Sequence, residues 1–328
     1  MLSSVSRRAV LGGLAGSLAA LAAPARANET LRVGKAVAEN FAYVPLDIGI
    51  EFGFFDKQGL AIEGLGFTGG ARIAQAMTAG AVDISLSAGP DMQFVAKGAP
   101  EIAVASITAS PIFMGFCVTK NSPIRGIQDL RGQRIGITST GSLTYWLVSE
   151  LNRAQGWTDP KDCAIQVSIG GSTAASLSAL KTGQVDASLS ASQTGFLLEY
   201  QQEGRLLFDC SHYVPSIELF TIFASSALTQ QRPDTVRRFL LAWYQAVDFM
   251  RHHKAETVRV ASKVMGYPPV VAGRSYDTFM PAFSADGRFV PQAIEKLEAS
   301  FSDLKIVDGA VDMKKFYSEE FLPMASRS

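Results

Sequence analysis

The sequence predicts an α/β protein of two similarly built lobes, each a mostly parallel sheet flanked by helices, and three observations carry that prediction. A strand, a loop of small polar residues and a helix follow one another repeatedly along the chain, the order that parallel sheets require. The series then restarts. Met77-Thr78-Ala79-Gly80-Ala81-Val82-Asp83-Ile84-Ser85-Leu86-Ser87-Ala88 parallels Leu180-Lys181-Thr182-Gly183-Gln184-Val185-Asp186-Ala187-Ser188-Leu189-Ser190-Ala191 at a constant offset of 103 residues. Finally, 328 residues with 47% apolar content are enough to bury a core in each of two lobes.

From the N-terminus, Ser6-Arg7-Arg8-Ala9-Val10-Leu11 sets an arginine pair ahead of an apolar run from Val10 to Ala23, and Ala25-Arg26-Ala27 is a small-x-small cleavage site. Residues 1–27 therefore read as an export signal, twin-arginine-like, with Sec export as the alternative. The run is too short and too rich in Gly and Ala for a membrane anchor, and no cysteine near the cleavage site would take a lipid. The mature chain is expected to start near Asn28 and to be soluble in the periplasm.

Leu31 to Ala36 reads as the first strand, Glu39 to Tyr43 as the loop at its end, and Pro45 as the opening of a helix. Ala61 to Leu65 is the next strand, leading through Thr68-Gly69-Gly70 into a helix with Ile73, Ala74 and Met77. Val82 to Ser87 follows, then the loop Ala88-Gly89-Pro90-Asp91 and the strand Glu101 to Thr108. Phe113 to Thr119 leads out of this first unit.

In the second unit Arg134 to Thr138 is a buried strand, Ser139-Thr140-Gly141-Ser142 its loop, and Leu143, Trp146, Leu147, Leu151 and Ala154 mark a helix. Gln166 to Ile169 runs into Gly170-Gly171-Ser172-Thr173, and Val185 to Ser190 is the next strand. Ile217 to Ala224 is a β-prone run that returns the chain to the first lobe. The remainder is helical: Pro233 opens a segment with Val236, Phe239, Leu240, Trp243 and Val247 on one side, and helices over Glu256 to Met265 and Pro291 to Phe301 follow.

Ligands of such sheets collect at the carboxyl ends of the strands, where the small-residue loops fall. The Ser139–Ser142 loop joins unpaired helix N–H groups, the positive end of a helix dipole and several hydroxyls, which makes a cradle for an anion or polar ligand. Read more plainly, the same residues only cap a helix.

Lys+Arg and Asp+Glu both total 30, so no net field favours nucleic acid or anionic membrane. The chain has three histidines and shows no metal-ligand cluster, nucleophile elbow or phosphate loop, so neither a cofactor nor catalysis is expected. Cys117, Cys163 and Cys210 read as small apolar fillers, with a Cys163–Cys210 disulfide as the alternative in an oxidising compartment.

Gly53-Phe54-Phe55 with Gly59-Leu60, Gly80-Ala81-Val82-Asp83, Asp129-Leu130-Arg131-Gly132 leading to Thr140-Gly141-Ser142, and Gly183-Gln184-Val185-Asp186 occur in an order that extends over most of the mature chain. In these motifs the chain resembles the periplasmic substrate-binding proteins of the nitrate/sulfonate/taurine and thiamine-precursor group, which feed ABC transporters. The resemblance implies a type II periplasmic-binding-protein fold, with lobe 1 from 28–115 and 221–328, lobe 2 from 116–220, and two crossing hinge strands near Phe113–Thr119 and Ile217–Ala224.

It also implies a small-molecule ligand, an inner-membrane ABC permease with its ATPase as partner, and a monomer. Carried onto this sequence, the ligand loops fall on Glu39, Asn40 and Tyr43, on Thr68, Gly69 and Gly70, and on Ser87 and Ala88. In the second lobe they fall on Ser139, Thr140, Gly141 and Ser142, on Gly171 and Ser172, and on Ser190 and Ser192.

Neutral donors there suit a sulfonate, taurine or a nitrate-like oxyanion. Glu39 instead favours a ligand with an amino group or N–H donors, or faces solvent, and Arg72 is the nearest candidate cation. Tyr43 is placed to pack on an organic portion, whereas helical spacing puts Trp146 in the core. The alternatives are a pyrimidine or aromatic-acid binder, a sensor that docks on a receptor, and an enzyme similar to thiamine-pyrimidine synthases, whose dense cysteine motif is lacking here.

Overall fold

The computed structural model describes residues 28–304 and 311–323, so the export signal expected over residues 1–27 lies outside the described residues. β1 (Glu29–Lys35) is the first strand, with Leu31 and Val33 fully buried. Asn40 caps the turn after it, its Oδ1 accepting the Ala42 N–H at 3.0 Å, and Pro45 sits in the first turn of α1 (Val44–Glu51). Then come α2 (Phe54–Lys57), β2 (Leu60–Gly66), α3 (Gly70–Thr78), β3 (Ile84–Ala88), α4 (Met92–Ala96) and β4 (Glu101–Thr108). The second half repeats the series with β5 (Met114–Thr119), β6 (Arg134–Ile137), α5 (Leu143–Ala154), β7 (Ile165–Ser168), α6 (Thr173–Lys181), β8 (Ala187–Ala191), α7 (Ser192–Tyr200) and β9 (Gly204–Asp209).

The two five-stranded sheets have one topology, β2-β1-β3-β10-β4 and β7-β6-β8-β5-β9, where β10 is Phe220–Ser225. In each sheet four strands run one way and one runs against them: β10 is antiparallel to β3 and β4, and β5 to β8 and β9. Each reversed strand arrives from the other sheet, β5 directly after β4 and β10 after β9. The crossings are the short segments ahead of those strands rather than the strands themselves. They lie side by side, with the Ile217 N–H donating to the Ala109 carbonyl at 3.2 Å and the Leu219 N–H to the Thr108 carbonyl at 2.9 Å.

The internal repeat has a residue-level cause. In the first sheet Asp83 accepts the backbone N–H, Nε–H and Nη2–H of Arg32 at 2.8–3.0 Å, and in the second Asp186 accepts the same three donors of Arg134 at 2.7–3.0 Å. Each aspartate thereby ties the start of its lobe's third parallel strand to the first, at the middle of β1 and at the start of β6, a planar two-point pairing that only arginine provides. Beyond β10 come α8 (Ser226–Gln231), α9 (Pro233–His252), α10 (Lys254–Met265), α11 (Pro269–Phe279) and α12 (Pro291–Asp303). The face of α9 expected to be apolar is buried, from Val236 to Val247.

Phe113 at the first crossing stacks on Phe279 of α11 at 4.5 Å and meets Phe220 of β10 edge-on at 5.9 Å, so aromatic packing holds that crossing to the first lobe. The three cysteines are unpaired, which corrects the Cys163–Cys210 alternative. Cys163 Sγ–H donates to the Trp157 carbonyl and Cys210 Sγ accepts the Tyr213 hydroxyl. Burial raises the Cys117 thiol to about 12, so it is chemically quiet. Among the described residues no helix is long and apolar enough to cross a membrane.

Candidate functional site

Between the two sheets, where the loops after β1, β2, β3, β6, β7 and β8 converge, lies a cavity of about 60 Å³. All six loops stand at carboxyl ends of parallel strands, the place such sheets offer a ligand. The lobes are closed over it. The Thr173 N–H at the start of α6 donates to Glu39 Oε2 at 3.1 Å, Gln193 Nε2 donates to the Glu39 carbonyl at 3.2 Å, and Gln93 Nε2 donates to the Gly141 carbonyl at 3.0 Å. Thr173 Oγ1 also lies 2.7 Å from the Tyr267 hydroxyl. Farther from the cavity, Trp146 Nε1 donates to Ser300 Oγ at 3.1 Å and Lys296 pairs with the buried Glu150 at 2.7 Å.

Of the residues expected from the sequence, Glu39, Asn40 and Tyr43 line the cavity, as do Gly69, Gly70, Ser87 and Ala88 from the first lobe. Ser142, Gly171, Ser172 and Ser190 line it from the second. Five others stand elsewhere. Thr68 pairs with Val37 and backs onto Gly171 of the other lobe, and Thr140 is exposed to solvent. Ser139 holds the Ser142 hydroxyl at 2.8 Å, Gly141 makes the contact with Gln93, and the Ser192 hydroxyl donates to the Ile112 carbonyl of the crossing at 2.8 Å. Arg72, the expected cation, is exposed and reaches only Gln75.

The cradle at α5 is partly self-satisfied. Thr144 Oγ1 accepts the Thr138 N–H at 2.8 Å, and Ser142 is taken by Ser139. At α6, Ser172 Oγ accepts the Ala175 N–H at 3.1 Å, and Glu39 takes the Thr173 N–H. The carboxylate of Glu39 thus neither faces open solvent nor stands free; it sits at the positive end of a helix on the opposite lobe.

Sequence reasoning missed Asp91, Thr138, Thr173, Gln193 and Thr194, all of which line the cavity, as does Thr144, a hydroxyl expected in the cradle. Asp91 and Gln193 open the helical turns after β3 and β8, just beyond the small residues by which those loops are recognised. Asp91 is 3% exposed; its Oδ2 accepts the Ser87 hydroxyl and, at 3.2 Å, the Ala88 N–H. Burial pushes its carboxyl up to about 6, against the pull of those two donors. Tyr43 beside it is fully buried, held by an edge-on contact with Phe220 at 5.5 Å, and its hydroxyl is raised by burial and by the Asp91 charge.

The cavity is therefore lined by two carboxylates, Glu39 and Asp91, by hydroxyls and by apolar walls including Met114, Leu189 and Phe220. Among the described residues no Lys, Arg or His lines it, and no group of three or more His, Cys, Asp and Glu is placed to hold a metal ion.

The fold recurs in solved structures. A protein from Bordetella bronchiseptica RB50 is 22% identical, with a TM-score of 0.75 over 89% of this chain and 95% of its own. The alkanesulfonate-binding protein SsuA from Xanthomonas axonopodis pv. citri, bound to MOPS, is 20% identical with a TM-score of 0.71 over 85% and 94%. The periplasmic aliphatic sulphonate binding protein SsuA from Escherichia coli is 19% identical with a TM-score of 0.70 over 88% and 92%. The architecture, two mostly parallel α/β lobes joined by two crossings, is the periplasmic-binding-protein fold. No curated protein matches the chain. The family model described as NMT1/THI5 like matches residues 40–257, well over half of the chain, and the protein belongs to that NMT1/THI5-like family.

Proposed function

We propose that this protein is a solute-binding component of an ABC import system, exported to the periplasm, which closes its two lobes on a small polar organic molecule and presents it to an inner-membrane permease. The observation that carries the reading is the cavity itself: loops from both sheets wall it, and hydrogen bonds across the cleft close it. Binding then performs no chemistry. The solute contacts both lobes only when they are shut, so its differential affinity for the closed form shifts an open–closed equilibrium, and that shape is what a permease reads.

In this reading residues 28–115 with 221–328 form one lobe and 116–220 the other, and the chain works as a monomer. The ligand-facing set is Glu39, Asn40, Tyr43, Gly69, Gly70, Ser87 and Ala88 with Ser142, Gly171, Ser172 and Ser190, joined by Asp91 and Gln193. The sulfonate ligands named for SsuA support a small organic solute of that size class. The test is a thermal-shift screen of residues 28–328 against sulfonates, taurine, nitrate, carboxylates and pyrimidines, with scattering to read closure. A micromolar binder at millimolar concentration stabilises by about 4 kcal/mol. No stabilisation by any compound, together with no small molecule released on denaturing the purified chain, overturns the reading.

A further inference from the structure

Resting on the solute-binding reading above, we infer that the cavity recognises the nitrogen end of its solute, a protonated amine, an amidinium or an N–H-bearing ring, which donates to Asp91 Oδ1 from one lobe and to Gln193 Oε1 from the other.

Buried polar atoms are almost always paired. Among the described residues six buried side-chain polar atoms have no partner: Asp91 Oδ1, Gln166 Oε1, Ser188 Oγ, Gln193 Oε1, Thr221 Oγ1 and Trp243 Nε1. Only the Asp91 and Gln193 atoms belong to residues that line the cavity, and both are acceptors. Both residues are held in place by their other polar atoms. Asp91 Oδ2 is occupied by Ser87 and Ala88, and Gln193 Nε2 by the Glu39 carbonyl, which fixes the amide so that its oxygen is the free end. Asp91 and Gln193 are 3% and 1% exposed, so what completes them has to come from inside the closed cleft.

Charge points the same way. A bare oxyanion would join Glu39 and Asp91 in a site that no Lys, Arg or His lines among the described residues, and repulsion between like charges grows as water is excluded. A cationic or N–H nitrogen instead completes the orphaned acceptors and offsets the carboxylates. An acid group at the far end of a zwitterion is compatible with this arrangement, because the α5 and α6 N-termini stand in the opposite lobe. With one acceptor on each lobe, the nitrogen bridges the cleft only when it is shut, which couples recognition to closure.

The experiment uses the chain from residue 28 and pairs of probes that differ by one nitrogen: taurine against ethanesulfonate, β-alanine against propionate, and 4-aminopyrimidine against pyrimidine. Thermal shift and calorimetry read binding, and mass spectrometry reads whatever the denatured protein releases. The expected result is stabilisation by the aminated members alone, or release of a molecule carrying an N–H or cationic nitrogen. Asp91→Asn and Gln193→Met should each weaken that binding by roughly ten- to a hundredfold, with ligand-free melting confirming that both variants fold.

A stabilising or released molecule without such a nitrogen, or full affinity in both variants, overturns this inference and leaves the solute-binding reading standing. No binding by any probe and no released molecule removes both.

Discussion

Glu39 Oε2 accepts the backbone N–H of Thr173 at 3.1 Å across the cleft, joining residues 134 positions apart. Thr173 is the first residue of α6, so its N–H has no partner within the helix, and the carboxylate supplies one while also meeting the helix dipole. A cap from one lobe on a helix of the other exists only in the closed form. Glu39→Ala should cost closure about 1 kcal/mol, or about fivefold in solute affinity, with Glu39→Gln intermediate because it keeps an acceptor but loses the charge. Calorimetry for affinity and scattering for the radius of gyration check this. Equal affinity in the alanine variant would show that the contact does not hold the lobes shut.

Gly171 lies where the lobes touch. A Cβ there would lie 3.1 Å from Thr138 Cγ2 in its own lobe and 3.4 Å from the Thr68 carbonyl carbon and Val37 Cγ2 in the other. Its backbone is not in the left-handed region, so a larger residue strains the interface and not the loop itself. Gly171→Val should wedge the cleft and weaken solute binding by about tenfold or more, while ligand-free stability changes by about 1 kcal/mol or less. Gly69, with φ +115° and Thr138 Cγ2 only 2.6 Å from its added Cβ, would confuse the two effects.

Ser142 and Thr140 stand two residues apart in one loop and should answer differently. Ser142 is 2% exposed and lines the cavity, whereas Thr140 faces solvent. Ser142→Leu should abolish measurable solute binding by filling the space, and Thr140→Leu should leave the dissociation constant within about twofold, as surface substitutions do. Equal losses in the two variants would move the site out of this loop.

These contrasts mark where sequence reading stops. Central strands such as β1, β3 and β10 were legible because burial on both faces leaves apolar stretches, and the lobe repeat was legible because Asp83 and Asp186 perform one structural task against Arg32 and Arg134. The loops that wall the cavity were legible as groups, since small residues gather at the carboxyl ends of parallel strands. Which residue of a loop faces inward was not.

Thr140 and Ser142 differ only in where the first helical turn points. Asp91 is turned inward by bonds to Ser87 and Ala88 of its own loop and Gln193 by a bond to the Glu39 carbonyl of the other lobe, and Arg72 turns outward from a helix start. Strand β9 gave no separable signal because most of its six residues are only partly buried and carry a mixed pattern. The exact crossings depend on which sheet each reversed strand joins, a matter of long-range pairing.

Buried carboxyls set the response of stability to pH, Asp47 among them, which burial raises against the pull of Lys35. Burial raises Asp91 to about 6, Glu218 to about 7 and Glu101 to about 8, and for Glu101 the charge of Asp91 adds to the effect. A carboxyl whose folded value lies above its unfolded one binds more protons when folded, so it favours the folded state at low pH and that contribution is lost as pH rises through the folded value. The window is therefore about pH 4 to 8.

Glu29, Asp83 and Asp186 act in the opposite sense. Burial pushes Glu29 and Asp83 up but their arginine partners outweigh it, and the Arg134 hydrogen bonds lower Asp186; these contributions disappear as pH falls below the ordinary carboxylate range. Unfolding free energy from urea titrations should thus peak near pH 4 and fall toward pH 8 by an amount on the order of several kcal/mol, since each tenfold difference in proton affinity between the folded and unfolded chain is worth about 1.4 kcal/mol.

Glu218→Gln is the sharpest check. Its Oε2 accepts the Ser106 hydroxyl at 2.6 Å and its Oε1 the Val290 N–H at 2.5 Å, and an amide keeps the second bond while donating back to Ser106. The variant should match the parent at pH 4 and exceed it at pH 8. A parallel decline in both proteins would show that Glu218 is not among the groups that titrate between those values, and the slope would then have to come from Asp91 and Glu101.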